Sequence, residues 1–180
     1  MILPPLPPQP VPLCAVVLAV IAASTDITSR RIPNRIIAIG LAAALLVQGW
    51  LHGPLTGGLA WLTGAACGFA LLLPFYLLRG MAAGDVKLLM MIGAWVGPEM
   101  TFYIALATFL AGGIWSIAIV LYRGRTRQML ANLAHLTGTW QGSAQRPASI
   151  DHMPIESVGA LPYGVAIAAG TLGVLFASAA

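Results

Sequence analysis

Charge is scarce in this chain. Five acidic and nine basic residues among 180 make up 8% of the sequence, against 59% hydrophobic residues and a mean hydropathy of +0.89. Soluble domains carry roughly 25% charged residues, so an aqueous globular fold is excluded and an integral membrane protein is left. Cysteine is nearly absent as well. Cys14 and Cys67 both lie in apolar runs, which excludes a Cys-x-x-Cys site and leaves two thiols packing as small hydrophobes. His52, His135 and His152 are scattered and offer no metal-ligand set. No internal repeat is visible, and neither a metal nor a cofactor is expected.

What is present is a series of apolar runs: Val11 to Thr25, Ile36 to Leu51, Leu55 to Leu78, Val86 to Val96, Met100 to Tyr122 and Val158 to Ser178. A spanning helix needs about 20 residues, with about 17 as a working minimum. The third, fifth and sixth runs meet this comfortably, and the first two do so with their flanks. The fourth is too short to cross about 30 Å of hydrocarbon at 1.5 Å per residue. Irregular backbone at membrane depth is tolerated only where protein or a water-filled cavity covers it, so residues 80–85 are expected to line a cavity. The predicted fold class is an all-α polytopic bundle of about six transmembrane helices.

One side of that bundle lacks cations. With the first helix running inward, Arg30, Arg31, Arg35, Arg79, Lys87, Arg123, Arg125, Arg127 and Arg146 all fall in the segments 26–35, 79–87 and 123–157. This is the positive-inside rule in an extreme form, and it predicts that both termini lie outside. The net charge of +4 then reads as a basic rim beside anionic lipid, and no nucleic-acid partner is implied. Pro4, Pro5, Pro7, Pro8, Pro10 and Pro12 make the first dozen residues stiff and extended, with 1–10 read as a leader without the basic region and cleavage site of a secretory signal. Residues 11–180 are expected to be a single membrane-embedded domain, with 124–157 as a cytoplasmic loop and an amphipathic surface helix or a flexible loop at 126–137.

Two aspartates stand where apolar runs meet basic segments. Asp26 opens Asp26-Ile-Thr-Ser-Arg30-Arg31-Ile32-Pro33-Asn34. Its plain reading is an i,i+4 ion pair with Arg30, although a helix C-terminus disfavours an acid and Pro33 forces a turn. Asp85 stands in Gly80-Met-Ala-Ala-Gly84-Asp85-Val-Lys87, where the plain readings are an N-cap for Asp85 and a snorkelling side chain for Lys87. The other reading uses both acids. Ionisable groups at membrane depth are costly and usually functional, and two carboxylates that meet share a proton.

Together these segments resemble the type IV prepilin peptidase family, membrane-embedded aspartic proteases with a Gly-x-Gly-Asp signature. The resemblance is carried by Asp26 with Arg30, Arg31 and Ile32-Pro33-Asn34, by Ala82-Ala83-Gly84-Asp85-Val86-Lys87-Leu88, and by Leu161-Pro162-Tyr163-Gly164. It extends from about residue 11 to 175 and is strongest for the short branch that serves Flp/Tad pili. One departure is Ala82, where the signature has its first glycine. Alanine there requires either an ordinary backbone angle or strain. Longer members similar to this chain add a cysteine-rich segment and methylate the new N-terminus. No such segment is present in this sequence, so nothing suggests methyl transfer.

The resemblance implies that Asp26 and Asp85 are catalytic, with Gly84, Lys87, Arg31, Pro33, Asn34, Pro162, Tyr163 and Gly164 supporting them. It implies a prepilin or pseudopilin substrate whose short basic leader is cut at the cytoplasmic face of the bacterial inner membrane. Membrane lipid and pilus assembly proteins are the further partners it suggests. The enzyme rim is itself basic, so substrate helices are expected to dock in the bilayer rather than be drawn in by charge. Gly64 and Gly68 form a small-residue face suited to close helix approach, within the bundle or toward a substrate, and Gly112-Gly113 is expected to break the fifth helix. Lys87 is expected to favour ionisation of Asp85. The competing classes are a proton-coupled carrier, which would show repeats and paired broken helices, and a non-catalytic pilus-assembly subunit. Neither accounts for all three motifs in this order.

Overall fold

The computed structural model describes residues 3–78, 80–122 and 163–180. Six helices are seen: α1 Val11–Ser29, α2 Asn34–His52, α3 Pro54–Leu77, α4 Ala83–Val96, α5 Pro98–Tyr122 and α6 Tyr163–Ala179. Four of them, α1, α2, α3 and α5, are long and apolar enough to cross a membrane. The chain is a multi-pass, all-helical membrane protein.

The fourth helix is as short as its apolar run suggests, at 14 residues. The described part of the sixth helix is the 17 residues Tyr163–Ala179, and the start of its apolar run at 158–162 lies outside the described residues. One other expectation needs correction. The fifth helix does not break at Gly112-Gly113 but runs unbroken to Tyr122. Its intrahelical hydrogen bonds tolerate glycine at a modest cost, and Gly112 serves packing instead. The loop expected at 124–157 and the surface helix at 126–137 also lie outside the described residues.

The chain divides into two units. One holds residues up to Gly112 together with Pro162–Ala180, and the other is Gly113–Leu161. Of the second, the described part is the end of α5. Within the first, α4 is the centre and packs against α1, α2, α3 and α6. Nine of its 14 residues are buried, among them Leu88, Leu89, Met91, Ile92 and Trp95. A helix buried on nearly all sides has no polar stripe to read, which is why its apolar run is continuous.

Glycines set how close the central helices come. Gly64 of α3 faces the Gly93 backbone, and Gly68 faces the Leu89 backbone, so a Cβ at either position would collide with α4. The small-residue face therefore packs within the bundle, which answers the alternative of a substrate groove on that face. Helices this close gain van der Waals contact directly between backbones. Gly53 and Gly97 take φ of 85° and 82° where α2 turns into α3 and α4 into α5, a region L residues rarely enter.

The proline-rich leader is irregular over residues 3–8, but it is not simply extended into solvent. Pro4 is buried and Leu6 packs on the core. Gln48 and Trp95 meet near the C-terminal ends of α2 and α4, where Gln48 Nε2 donates to the Trp95 carbonyl and ties α2 to α4.

Candidate active site

Asp26 lies on the buried stripe of α1. Ala15, Ala19, Ala22 and Ala23 are buried one to two turns apart, and Asp26 continues the series at 8% exposure. Residues three and four apart share a helix face, so a carboxylate on this alanine face must enter the bundle. The helix also runs four residues past Thr25, to Ser29. Asp26 therefore sits within its last turns and not beyond its end.

The i,i+4 ion pair is not what the structure contains. Arg30 turns left-handed at φ 51° and donates its backbone N–H to the Asp26 carbonyl at 2.9 Å, while its side chain is exposed. The Asp26 carboxylate instead accepts from Gly164, whose N–H reaches Oδ2 at 2.9 Å. Gly164 is the second residue of α6, where backbone donors have no intrahelical partner. A side chain of α1 thus caps a helix that begins far along the chain.

Asp85 is 5% exposed and stands at the third position of α4, not at its N-cap as the sequence suggests. The N-cap is Ala82. Asp85 N–H donates to the Ala82 carbonyl at 3.1 Å, and Ala82 N–H donates back to Asp85 Oδ2 at 3.3 Å. This reciprocal arrangement is a capping box in which the backbone carbonyl replaces the usual side-chain acceptor. Ala82 has φ −80° and ψ 151°, ordinary extended backbone. The alanine in place of glycine therefore carries no conformational strain.

The two acids occupy one end of the first unit. Asp85 is within electrostatic reach of Asp26, and Tyr163 is within reach of Asp85. Helices α1, α4 and α6 contact one another in pairs. Tyr163 is held over Gly112 of α5, where an added Cβ would stand 2.9 Å from Cε2 and 3.1 Å from the phenolic oxygen. The glycine once read as a helix break is the floor under the tyrosine ring.

The remaining expected residues divide. Gly84 packs against Ile32, with an added Cβ 3.6 Å from the Ile32 Cβ. Pro33 is the extended N-cap of α2, at φ −62° and ψ 130°. Lys87 Nζ donates to Asn34 Oδ1 at 3.1 Å, so its nearest recorded partner is an amide and not Asp85. Arg31 is exposed, and Pro162 lies outside the described residues. Sequence reasoning gave Ile32 no role beyond its place in the motif, and it misread Gly112. The Ile32 signal was present, as an apolar residue set among the charges of a turn.

Residues 13–117, more than half of the chain, match the type IV leader peptidase family. The chain belongs to that family. The match spans both aspartates and ends before Tyr163 and Gly164, which the structure brings to the site through the Gly164 contact with Asp26. A 109-residue stretch is 37% identical to the prepilin leader peptidase/N-methyltransferase of Bacillus subtilis (strain 168), covering 58% of this chain and 42% of that protein. This family member thus spans less than half the length of that relative. No solved structure matches the chain.

Proposed function

We propose that this protein is an intramembrane aspartic endopeptidase that removes the short basic leader from type IV prepilins of the Flp type. The observation that carries the reading is the convergence of Asp26 and Asp85, both buried and within electrostatic reach, from two separate motifs. Family membership and the similarity to a leader peptidase support leader processing as the reaction class.

The mechanism follows from two carboxylates close together. One proton is shared between them. The ionised member takes a proton from a water held between the acids, and that water attacks the scissile carbonyl. The protonated member donates its proton to the developing oxyanion, and the member that took the proton from water passes it to the leaving amine as the C–N bond breaks. The apparent titration belongs to the pair. Gly164 and the Ala82 N–H hold one carboxylate each.

In this reading residues 11–180 act as one membrane domain in the bacterial inner membrane, with both termini outside and the site on the cytoplasmic side. The one-sided cations support that orientation. The substrate is a prepilin or pseudopilin, and pilus assembly proteins and lipid are the surrounding partners. The test is co-expression with a candidate prepilin. Wild type removes the leader, whereas Asp26→Asn and Asp85→Asn do not. Leader removal persisting in either variant defeats the two-carboxylate mechanism, and solute transport without cleavage replaces it with a carrier.

A further inference from the structure

The turn that joins α1 to α2, together with the first residue of α2, touches α4 on both sides of Asp85. Ile32 lies on Gly84, one residue before the acid. Asn34 Oδ1 accepts from Lys87 Nζ at 3.1 Å, two residues after it. The same turn leaves α1 four residues past Asp26, and its path is fixed by the left-handed Arg30 and the extended Pro33. One apolar contact and one polar contact therefore bind the exit of one acid-bearing helix to the first turn of the other.

A cation two residues from an acid is ordinarily read as its electrostatic partner. Here the ammonium is directed across the bundle to a neutral amide, while Asp26 and Tyr163 stand within electrostatic reach of Asp85. Lys87 and Asp85 are also two positions apart on α4, a spacing at which helical side chains do not face each other.

We propose that Lys87 and Asn34 are a positioning pair whose hydrogen bond sets the separation of Asp85 from Asp26, Lys87 acting through that bond rather than as an ion-pair partner of the acid. The proposal rests on the two-aspartate reading given above. Displacing a reacting group by about 1 Å can cost on the order of 100-fold in rate, so a modest shift of α4 against the turn is enough to be read kinetically.

The test uses the full chain in proteoliposomes with a purified prepilin. Lys87→Met and Asn34→Leu each lower kcat by about tenfold or more with little change in KM, as expected of lost alignment. The double variant is no slower than the worse single one, because both remove the same bond. Asn34→Asp keeps an acceptor and retains kcat. Lys87→Gln keeps a donor without the charge and also retains most of it, which decides the matter even if Lys87→Met yields no folded protein. The limbs of the pH–rate profile stay in place in every variant, and rates are compared at equal amounts of folded protein.

The proposal is overturned if Lys87→Gln and Lys87→Met both displace a limb of that profile, or if the two single losses multiply in the double variant. Asp85→Asn is measured alongside. Its retained activity would defeat the dyad itself, whereas an inert Asp85→Asn with fully active Lys87 and Asn34 variants defeats only the positioning pair.

Discussion

Gly164 donates its backbone N–H to Asp26 Oδ2 at 2.9 Å, joining the first turn of α6 to the last turns of α1. The approach is possible only because residue 164 has no side chain. A Cβ there would stand 2.9 Å from that oxygen and 3.2 Å from the Asp26 Cβ.

Gly164→Ala should therefore displace Asp26 while leaving the bundle folded. Leader cleavage is expected to fall by about 100-fold. Gly173→Ala, on the same helix with open space around it, should cleave like wild type. Initial rates of the two purified variants against one prepilin make the comparison, and equal rates would mean that Asp26 has room to move without consequence.

Gly112→Ala tests the floor beneath Tyr163. The added methyl would meet the ring at 2.9 Å, so the ring must shift toward or away from the acids. Overpacking of this kind costs about 1–3 kcal/mol. A lowered melting temperature together with a lowered kcat is expected. If Tyr163→Ala in the same background restores the melting temperature, the clash is located at that ring.

Gly64→Val and Gly68→Val should be the most destabilising changes outside the site. Each inserts a side chain where α3 and α4 meet backbone to backbone, and the cost should reach or exceed about 3 kcal/mol. Gly58→Ala, on the same helix with nothing near it, should be neutral to slightly stabilising because alanine is the better helix former. Thermal unfolding in detergent checks both.

Ala82→Gly should gain nothing. The residue already has ordinary extended angles, so restoring the glycine of the family signature leaves the rate within about twofold and lowers stability by up to about 1 kcal/mol through added chain freedom. Ala82→Pro, by contrast, removes the N–H that Asp85 Oδ2 accepts and should abolish most cleavage. Measured kcat for the pair separates the role of the backbone angle from that of the donor.

The helix order and the shortness of α4 were legible because apolar length is a direct physical constraint in a bilayer. The entry of Asp26 into the bundle was legible too, in the spacing of Ala15, Ala19, Ala22 and Asp26, although the charged segment after it drew attention to Arg30 instead. Three features were not legible. Gly112 looks the same in a sequence whether it breaks a helix or receives a ring from another one. The partner of Lys87 depends on where α2 begins relative to α4, a tertiary quantity that no local pattern carries. The capping box at Ala82 uses a backbone carbonyl in place of a side chain, so no side-chain motif announces it.

The glycine pairings between α3 and α4 fix a depth as well as a distance. Gly64 stands opposite Gly93 and Gly68 opposite Leu89, an antiparallel register that, carried one turn further, sets Leu72 level with Asp85. Helix α3 continues from there to Leu77 with Pro74 inside this last stretch, a rise of up to about 7.5 Å at 1.5 Å per residue. The carboxylate is thus recessed below the rim of its neighbour. On the proposed peptidase reading, a peptide bond at the end of a straight, fully wound substrate helix resting on that rim would not reach it. The scissile segment would have to unwind and descend by roughly two extended residues, which makes resistance of the substrate to local unwinding, more than its charge, the natural brake on cleavage.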